Sequence, residues 1–303
     1  VLINHQSIFF IYHFFKTPIL MELKRVVVTG LGAVTPVGNT AEETWKNLIA
    51  GKSGAAPITQ FDSSKFKTHF ACEVKNLNVL DYLDRKEARK QDRYTQLAMI
   101  SAIQGVKDAG LDLDKEDKDR IGVIYGVGIG GIRTFEDEVT YYAQHLDQDP
   151  MFSPFFIPKM IADIAAGQIS IHFGFHGPNF TTTSACASSG NALCQAFNLL
   201  RLGKANIIVA GGAESAICAC GVGGFNSMKA LSTRNDDPEH ASRPFSASRD
   251  GFVMGEGAGC IVLEELEHAK ARGAKIYAEM IGEGESADAH HITAPHPEGL
   301  GAI

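Results

Sequence analysis

The feature that most constrains the fold is an almost uncharged stretch in the middle of the chain. It opens with NFTTTSA, whose β-branched residues favour a strand, and continues after Cys186 with the helical pattern of SSGNALCQAFNLLRLG. The next segment, ANIIVAGGAE, has the unbroken apolar run of a buried strand. Because the helix carries no charge before Arg201, we expect it to be buried. Strand, helix and strand in succession predict an α/β fold with a largely parallel sheet covered on both faces.

Strands and helices alternate along most of the remaining chain as well. Thr40 and Glu43 have the spacing of a capping box at the start of a helix. Apolar runs predict further strands at residues 24–29, 120–128 and 257–265, and a long one at residues 275–287. Helical spacing of apolar residues predicts helices at residues 42–51, 92–109, 158–173 and 265–273.

Charge and cysteine content narrow the class of protein. The net charge of −7 disfavours a nucleic-acid partner, because proteins that bind nucleic acids generally are basic. The six cysteines are sparse and lack the spacing of a disulfide scaffold. We therefore predict a reducing, cytoplasmic location.

Residues 1–20 differ in character from the rest of the chain. They are rich in aromatic residues and precede Met21, without the basic leading region or cleavage site of a signal peptide. His13 and Lys16 interrupt a stretch that is already short for a membrane span. We predict a non-native or upstream extension and no membrane partner; the alternative is an interfacial helix.

Cys186 is the strongest candidate for a reactive group, because it lies between a predicted strand and the start of a predicted helix. Free N–H groups and partial positive charge at a helix N-terminus stabilise a thiolate, the nucleophilic form of cysteine. Small residues on both sides leave room for a substrate. From this local sequence alone, an inert buried cysteine is an equally good interpretation.

Two groups of residues suggest a metal site but match no zinc-ligand spacing. They are the pair Cys218 and Cys220 and the late histidines His290, His291 and His296. No metal is predicted.

Two further patterns have ordinary interpretations. The glycines of VTGLGAVTPVG depart from the dinucleotide-binding pattern, so we expect them to serve tight turns and close packing. The basic run at residues 85–93 is either a solvated helix face or a docking patch for an acidic protein.

The segment TTTSACASSGNAL resembles the active-site motif of the β-ketoacyl-[acyl-carrier-protein] synthases, and among them most closely the bacterial synthase II type. Other motifs of that family follow in the same order, including RVVVTGLGAVTPVGN, GVGGFNSMKALSTRNDDPEHASRPF, RDGFVMGEGAG and DAHHIT. The resemblance extends over nearly all of residues 21–303. It makes Cys186 the expected nucleophile.

The resemblance implies an α/β fold of the thiolase type. In that fold two similar halves form five α-β-α-β-α layers, and the protein normally assembles as a homodimer. The first half would be complete at residues 21–273, whereas residues 274–303 would only begin the second half.

The resemblance also implies the reaction of a 3-oxoacyl-[acyl-carrier-protein] synthase II. Cys186 would take an acyl group from acyl carrier protein as a thioester, and its backbone N–H would stabilise the oxyanion. Malonyl carrier protein would then lose CO₂, and the resulting carbanion would attack the thioester in fatty-acid elongation. No bound cofactor is expected, because the phosphopantetheine arm arrives on the carrier protein.

Seven further positions match residues with roles in that family. Those expected to bind substrate are Ile129, Phe156 and Phe225 in the acyl pocket, with Phe156 reaching across the dimer, and Thr293 on the phosphopantetheine arm. Those expected to dock the carrier protein are Lys86, Lys90 and Lys229. Lys229 stands where arginine is frequent, which keeps the charge but loses the planar fork.

The family's two catalytic histidines, its catalytic lysine and its late G-F-G-G loop lie in motifs that the 303 residues do not contain. His290, His291 and His296 belong to a different segment and do not replace them. We therefore expect a C-terminally truncated chain that cannot catalyse the condensation, although the full-length enzyme would.

Other functions remain open at this point. A polyketide-type ketosynthase, or a thiolase-type enzyme acting on coenzyme A esters, would share the fold and the cysteine. A non-catalytic chain-length subunit is disfavoured, since such subunits lack the cysteine.

Overall fold

The computed structural model describes residues 22–303. The predicted extension at residues 1–20 lies outside the described residues. The strands are β1 (Val26–Val34), β2 (Ala56–Pro57), β3 (Phe70–Ala71), β4 (Ile121–Gly126), β5 (Asn179–Thr182), β6 (Ile207–Glu214), β7 (Gly257–Glu265) and β8 (Ala278–Met280). The helices are α1 (Ala41–Ile49), α2 (Arg85–Arg89), α3 (Arg93–Asp108), α4 (Ile132–Gln144), α5 (Phe156–Met160), α6 (Ile164–Phe173), α7 (Ser188–Arg201), α8 (Ala219–Ser227) and α9 (Leu266–Ala271).

A six-stranded sheet in the order β5-β4-β6-β7-β1-β8 forms the centre of the described chain. Helices α3 and α6 cover one of its faces, where Leu97 and Ile169 pack in a large apolar cluster. Helix α7 covers the other face, with Phe197 and Leu200 against Ile208. Strand β4 lies between these layers with every residue buried, which explains its unbroken apolar run.

The prediction of a largely parallel sheet is wrong, because the sheet is mixed. Strand β4 runs parallel to β5 and β6, whereas β6–β7, β7–β1 and β1–β8 are antiparallel pairs. Glu214 at the end of β6 pairs with Gly257 at the start of β7. Residues 215–256 therefore leave and re-enter the sheet at the same end, which forces the two strands to run in opposite directions.

The helix predicted at residues 158–173 is two helices, α5 and α6. Ile161 between them adopts an extended backbone, and its carbonyl accepts the hydroxyl hydrogen of Tyr94 at 2.5 Å. By contrast, α3 matches its prediction, with Asp92 capping its first turn. No helix among residues 22–303 combines the length and apolar character needed to cross a bilayer.

The long strand predicted at residues 275–287 is only the short strand β8. Its three residues pair with Val26, Val27 and Val28, and residues beyond Met280 join no strand of the described sheet. The boundary predicted between residues 273 and 274 stays a prediction.

Helix α7 was expected to be buried and is buried on one face only. Ala192, Ala196 and Leu200 face the sheet, whereas Gly190 is exposed. Low charge alone therefore overestimated the burial of this helix.

Two local predictions for the first strand and helix are confirmed. The backbone N–H of Glu43 donates to Thr40 Oγ1, and the Glu43 carboxylate accepts in turn from the N–H of Asn39. A Cβ on Gly32 would lie 1.9 Å from the carbonyl oxygen of Ser101. The glycine thus allows α3 to pack closely on β1, as the glycine pattern predicted.

Candidate active site

Cys186 lies at the junction of strand and helix that the sequence predicted. Strand β5 ends at Thr182, a 3₁₀ turn covers Ala185–Ala187, and α7 begins at Ser188. Ala185 has φ of +51°, a conformation that costs energy for a residue with a Cβ. The side chain of Cys186 is exposed, so it is not the inert buried cysteine of the alternative interpretation.

Hydrogen bonds from small polar residues hold the Cys186 turn. Ser188 Oγ accepts from the N–H of Ser184 at 2.9 Å and donates to the carbonyl of Ala185 at 2.7 Å. Asn191 donates to Ser184 Oγ at 2.9 Å, one helical turn further along. These hydrogen bonds explain why Ala185 keeps its strained backbone conformation, because the groups around the turn hold it in place.

The strained turn also rests directly on two strands. A Cβ on Gly126, the last residue of β4, would lie 2.2 Å from the carbonyl carbon and oxygen of Ser188. A Cβ on Gly212 in β6 would lie 2.4 Å from the Cβ of Ser189. The two glycines let the first turn of α7 contact the sheet directly. This contact determines how far Cys186 lies from the sheet.

We expect Gly126→Ala to lower the free energy of unfolding by about 1–3 kcal/mol, because the new methyl group must displace the start of α7. Gly190→Ala is the matched control, since a Cβ there meets nothing within 4 Å. Urea unfolding followed by circular dichroism measures both. Equal stability of the two variants would contradict close packing at Gly126.

An apolar cavity of about 700 Å³ opens beside Cys186. Its wall includes Ile129 from the turn after β4 and Phe225 from α8. The Phe225 ring meets Phe252 edge to face with centroids 5.3 Å apart. Two of the predicted pocket residues therefore lie in one cavity with the cysteine, and the cavity has the apolar character that an alkyl chain requires.

Two other predicted substrate residues lie outside this cavity in the described chain. Phe156 stacks on Phe152 with ring centroids 5.5 Å apart and lies 6.3 Å from the ring of Phe135. Thr293 is exposed near the end of the chain, where its N–H donates to His291 Nδ1 at 3.2 Å. Their roles in substrate binding stay predictions.

The basic run at residues 85–93 forms one wall of a groove of about 1060 Å³. Lys86 and Lys90 line it together with Lys159, and the Lys90 ammonium lies 5.8 Å from the centre of the Phe155 ring. Lys229 follows α8, has φ of +55° and is not part of the groove wall. The structure thus brings together two of the three predicted docking lysines.

Sequence reasoning missed two acids in the cavity wall, the half-buried Glu214 and the buried Glu256. Arg93 donates to both oxygens of Glu256 at 2.6 and 2.7 Å, and Ser215 Oγ donates at 2.7 Å. Burial alone would raise the pKa of Glu256, but Arg93, together with Ser215 and the N–H of Val74, outweighs this effect and holds the pKa below its usual range. In the sequence, the only signal of these residues is an acid within or after an apolar run. That pattern does not show which group binds the acid.

The Cys218 and Cys220 pair sits at the start of α8 beside Glu136, which accepts the N–H groups of Ala219 and Cys220. Burial raises the pKa of Cys218 to about 12. Among residues 22–303 no cluster of His, Cys, Asp and Glu has the arrangement of a metal site.

Comparison with known proteins relates this site to a family. Residues 23–269 match the family described as "Beta-ketoacyl synthase, N-terminal domain". The chain is 50% identical over 283 residues to "3-oxoacyl-[acyl-carrier-protein] synthase 2" of Synechocystis sp., and equally so to the protein of that name from Staphylococcus aureus. These matches cover 93% of this chain and 67% of each relative.

Solved structures agree with these matches. A beta-ketoacyl synthase from Burkholderia phymatum has 34% identity and a TM-score of 0.81, covering 91% of this chain and 67% of that one. The ishigamide ketosynthase/chain length factor has 33% identity and a TM-score of 0.84, covering 92% and 67%. The thiolase-like α/β fold is confirmed, and the described residues form an α-β-α part of it. The chain belongs to the beta-ketoacyl synthase family of condensing enzymes.

Proposed function

We propose that Cys186 carries the growing acyl chain in the reaction of a 3-oxoacyl-[acyl-carrier-protein] synthase of fatty-acid elongation. The observation that carries this proposal is the exposed cysteine on a strained turn at an apolar cavity. An exposed thiol is accessible to a bulky thioester donor, and the cavity offers the alkyl chain a place out of water.

In the first step the sulfur of Cys186 attacks the carbonyl carbon of the donor thioester. The carbon–sulfur bond to the carrier breaks, and the carrier's pantetheine thiolate leaves and takes up a proton. In the second step malonyl carrier protein loses CO₂, and its carbanion attacks the Cys186 thioester and releases the cysteine thiolate. Dividing the reaction in this way is ordinary nucleophilic catalysis.

The described residues support the first step more directly than the second. Among residues 22–303 the cavity wall holds Cys186 and two carboxylates but no histidine or lysine. Decarboxylation needs groups that stabilise the developing carbanion, and carboxylates cannot do so. Acyl transfer to Cys186 is therefore the step to measure in this chain.

Fatty-acid elongation is favoured over polyketide synthesis by the degree of similarity. The relatives named 3-oxoacyl-[acyl-carrier-protein] synthase 2 are 50% identical to this chain. A type II polyketide ketosynthase, solved in complex with its acyl carrier protein, is 30% identical with a TM-score of 0.83 and covers 92% of this chain and 67% of that one.

Acyl carrier protein is the proposed partner, and it would deliver the phosphopantetheine arm so that the enzyme needs no cofactor of its own. The groove lined by Lys86, Lys90 and Lys159 supports this, because it offers several positive charges beside an exposed aromatic ring. Lys229 would add a separate basic contact.

A homodimer is proposed as well, in which Phe156 approaches the cavity of the second copy. Strand β5 forms one edge of the six-stranded sheet, and its residues Asn179 and Phe180 are exposed. An unpaired strand edge is a ready site for pairing with another chain. A cytoplasmic location is proposed because all six cysteines are free thiols.

We expect faster acyl transfer to Cys186 from palmitoyl carrier protein than from palmitoyl coenzyme A, which share the same reactive thioester. Intact-mass spectrometry of the chain over time measures the adduct. The rate difference between the two donors should come from contacts of the carrier protein with the docking groove. The double variant Lys86→Glu with Lys90→Glu should therefore slow transfer from the carrier by about tenfold at low salt and leave the rate from coenzyme A unchanged.

The matched control is Lys46→Glu with Lys52→Glu, two exposed lysines outside the groove, which changes the net charge by the same amount. If coenzyme A proves the better donor, and the groove variants slow both donors alike, a thiolase-type enzyme becomes the better assignment.

A further inference from the structure

The carboxylate of Glu214 accepts hydrogen bonds from the turn that contains Ile129, a residue of the cavity wall. Glu214 Oε2 accepts the N–H of Gly128 at 3.0 Å and of Ile129 at 2.7 Å, and Oε1 accepts the N–H of Gly130 at 3.3 Å. Three successive peptide groups therefore converge on one side chain at the end of β6. Hydrogen bonds to an ionised acceptor are about twice as strong as neutral ones.

This turn joins β4 to α4 and is held at its far end by a second, backbone contact. Gly130 has φ of +80°, and the N–H of Gly131 donates to the carbonyl of Met160 at 3.1 Å. Ile129 projects from the middle of the turn with 43% of its surface exposed, into the cavity that it shares with Cys186. The position of Ile129 thus depends on how the turn is held.

The same carboxylate lies close to the strained turn of the cysteine. A Cβ on Gly128 would be 3.0 Å from Glu214 Oε2 and 3.4 Å from the carbonyl oxygen of Ala185. Gly128 therefore packs between Glu214 and the residue that precedes Cys186. A shift of the turn would change the space between the cysteine and Ile129.

Glu214 has no Lys, Arg or His within ion-pair distance among residues 22–303. Burial raises the pKa of Glu214, and the three N–H groups offset only part of that rise. Burying a carboxylate without a cation is unfavourable unless its hydrogen bonds compensate. Its bonds to the turn are thus its main stabilising contacts.

We infer that Glu214 is a positioning residue that fixes Ile129 in the cavity wall and thereby determines which acyl lengths Cys186 accepts. The inference rests on the proposed function. A short acyl group would stay near the sulfur and be insensitive to Ile129. A long group must pass it, so loosening the turn acts on long chains.

The test is loading of Cys186 from butyryl and palmitoyl carrier protein, followed by intact mass in the full 303-residue chain. Glu214→Ala should lower the ratio of palmitoyl to butyryl loading rates by about tenfold, equivalent to about 1.4 kcal/mol. Glu214→Gln should fall between, because it keeps one oxygen that can accept from Gly128 and Ile129. Circular dichroism checks that each variant is folded. If Glu214→Ala unfolds, the loading ratio of Glu214→Gln tests the inference instead.

A double-mutant cycle with Ile129→Ala separates positioning from general support. If Glu214 acts through Ile129, the change in the loading ratio in the double variant should equal that of Ile129→Ala alone. Additive effects, or an equal slowing of both donors in Glu214→Ala, would overturn the inference while leaving the proposed function intact. An unchanged chain that loads neither donor would instead contradict the proposed function, and this inference with it.

Discussion

Replacement of Cys186 by alanine is expected to abolish the covalent acyl adduct that the unchanged chain forms with palmitoyl carrier protein. The thioester needs a sulfur atom at the cavity, and the exposed Cys186 is the cysteine in the cavity wall. Loss of the nucleophile removes the acceptor itself, so we expect no adduct rather than a slower one. Intact mass and peptide mapping after incubation with the donor measure the result.

Cys220→Ala is the matched control for this experiment, because Cys220 is the other exposed cysteine. Burial and the carboxylate of Glu136 raise the pKa of Cys220, which keeps its thiol protonated and a poor nucleophile. The control should load as fast as the unchanged chain. An adduct that survives in Cys186→Ala and disappears in Cys220→Ala would place the nucleophile elsewhere.

Arg93→Met is expected to lower the free energy of unfolding by about 3–5 kcal/mol. The side chain of Glu256 is fully buried, and Arg93 is its ion-pair partner at 2.6 Å. Methionine of similar length would leave the carboxylate with only Ser215 and the N–H of Val74 as donors. Chemical unfolding at neutral pH measures the loss.

Two further variants make this prediction specific. Lys115→Met breaks the exposed pair with Asp112 and should cause no measurable loss. Glu256→Gln in the Arg93→Met background removes the unpaired charge and should recover part of the stability. No recovery would show that Arg93 acts through packing of its stem rather than through its charge.

The pair also predicts how stability depends on pH. The pKa of Glu256 is lowered in the folded chain. At a pH just below the ordinary glutamate pKa of about 4.3, the unfolded chain therefore binds a proton at this residue and the folded chain does not. This contribution is present above that pH and is lost as the pH falls through the folded value. Arg93→Met should therefore lose less additional stability on acidification than the unchanged chain does.

The local elements of this chain could be read from its sequence because their causes are local. An unbroken apolar run marked β4, a capping box marked the start of α1, and helical spacing bounded by Asp92 marked α3. The position of Cys186 between strand and helix followed from the same patterns. Its identity as the expected nucleophile came from the resemblance of its motif to a family.

The direction of β7 and the division of residues 158–173 into two helices depended on contacts that no local pattern contains. Glu214 meets Gly257 across the sheet, and Tyr94 reaches the carbonyl of Ile161 from a different helix. Both contacts join residues that are far apart in the sequence. Periodicity reports only which face of an element is apolar, so it could not predict either one.

By itself, the sequence determined the α/β class, the positions of the central strands β4, β6 and β7 and of the helices α1, α3, α7 and α9, and the junction that presents Cys186. Tertiary structure alone decided which distant groups surround that junction: Gly126 beneath the helix start, Glu214 on the turn of Ile129, and Arg93 against Glu256. The physical reason is that backbone propensity and apolar spacing act between near neighbours in the chain. Burial of a charge, by contrast, is balanced by whichever donors the fold brings within hydrogen-bond distance.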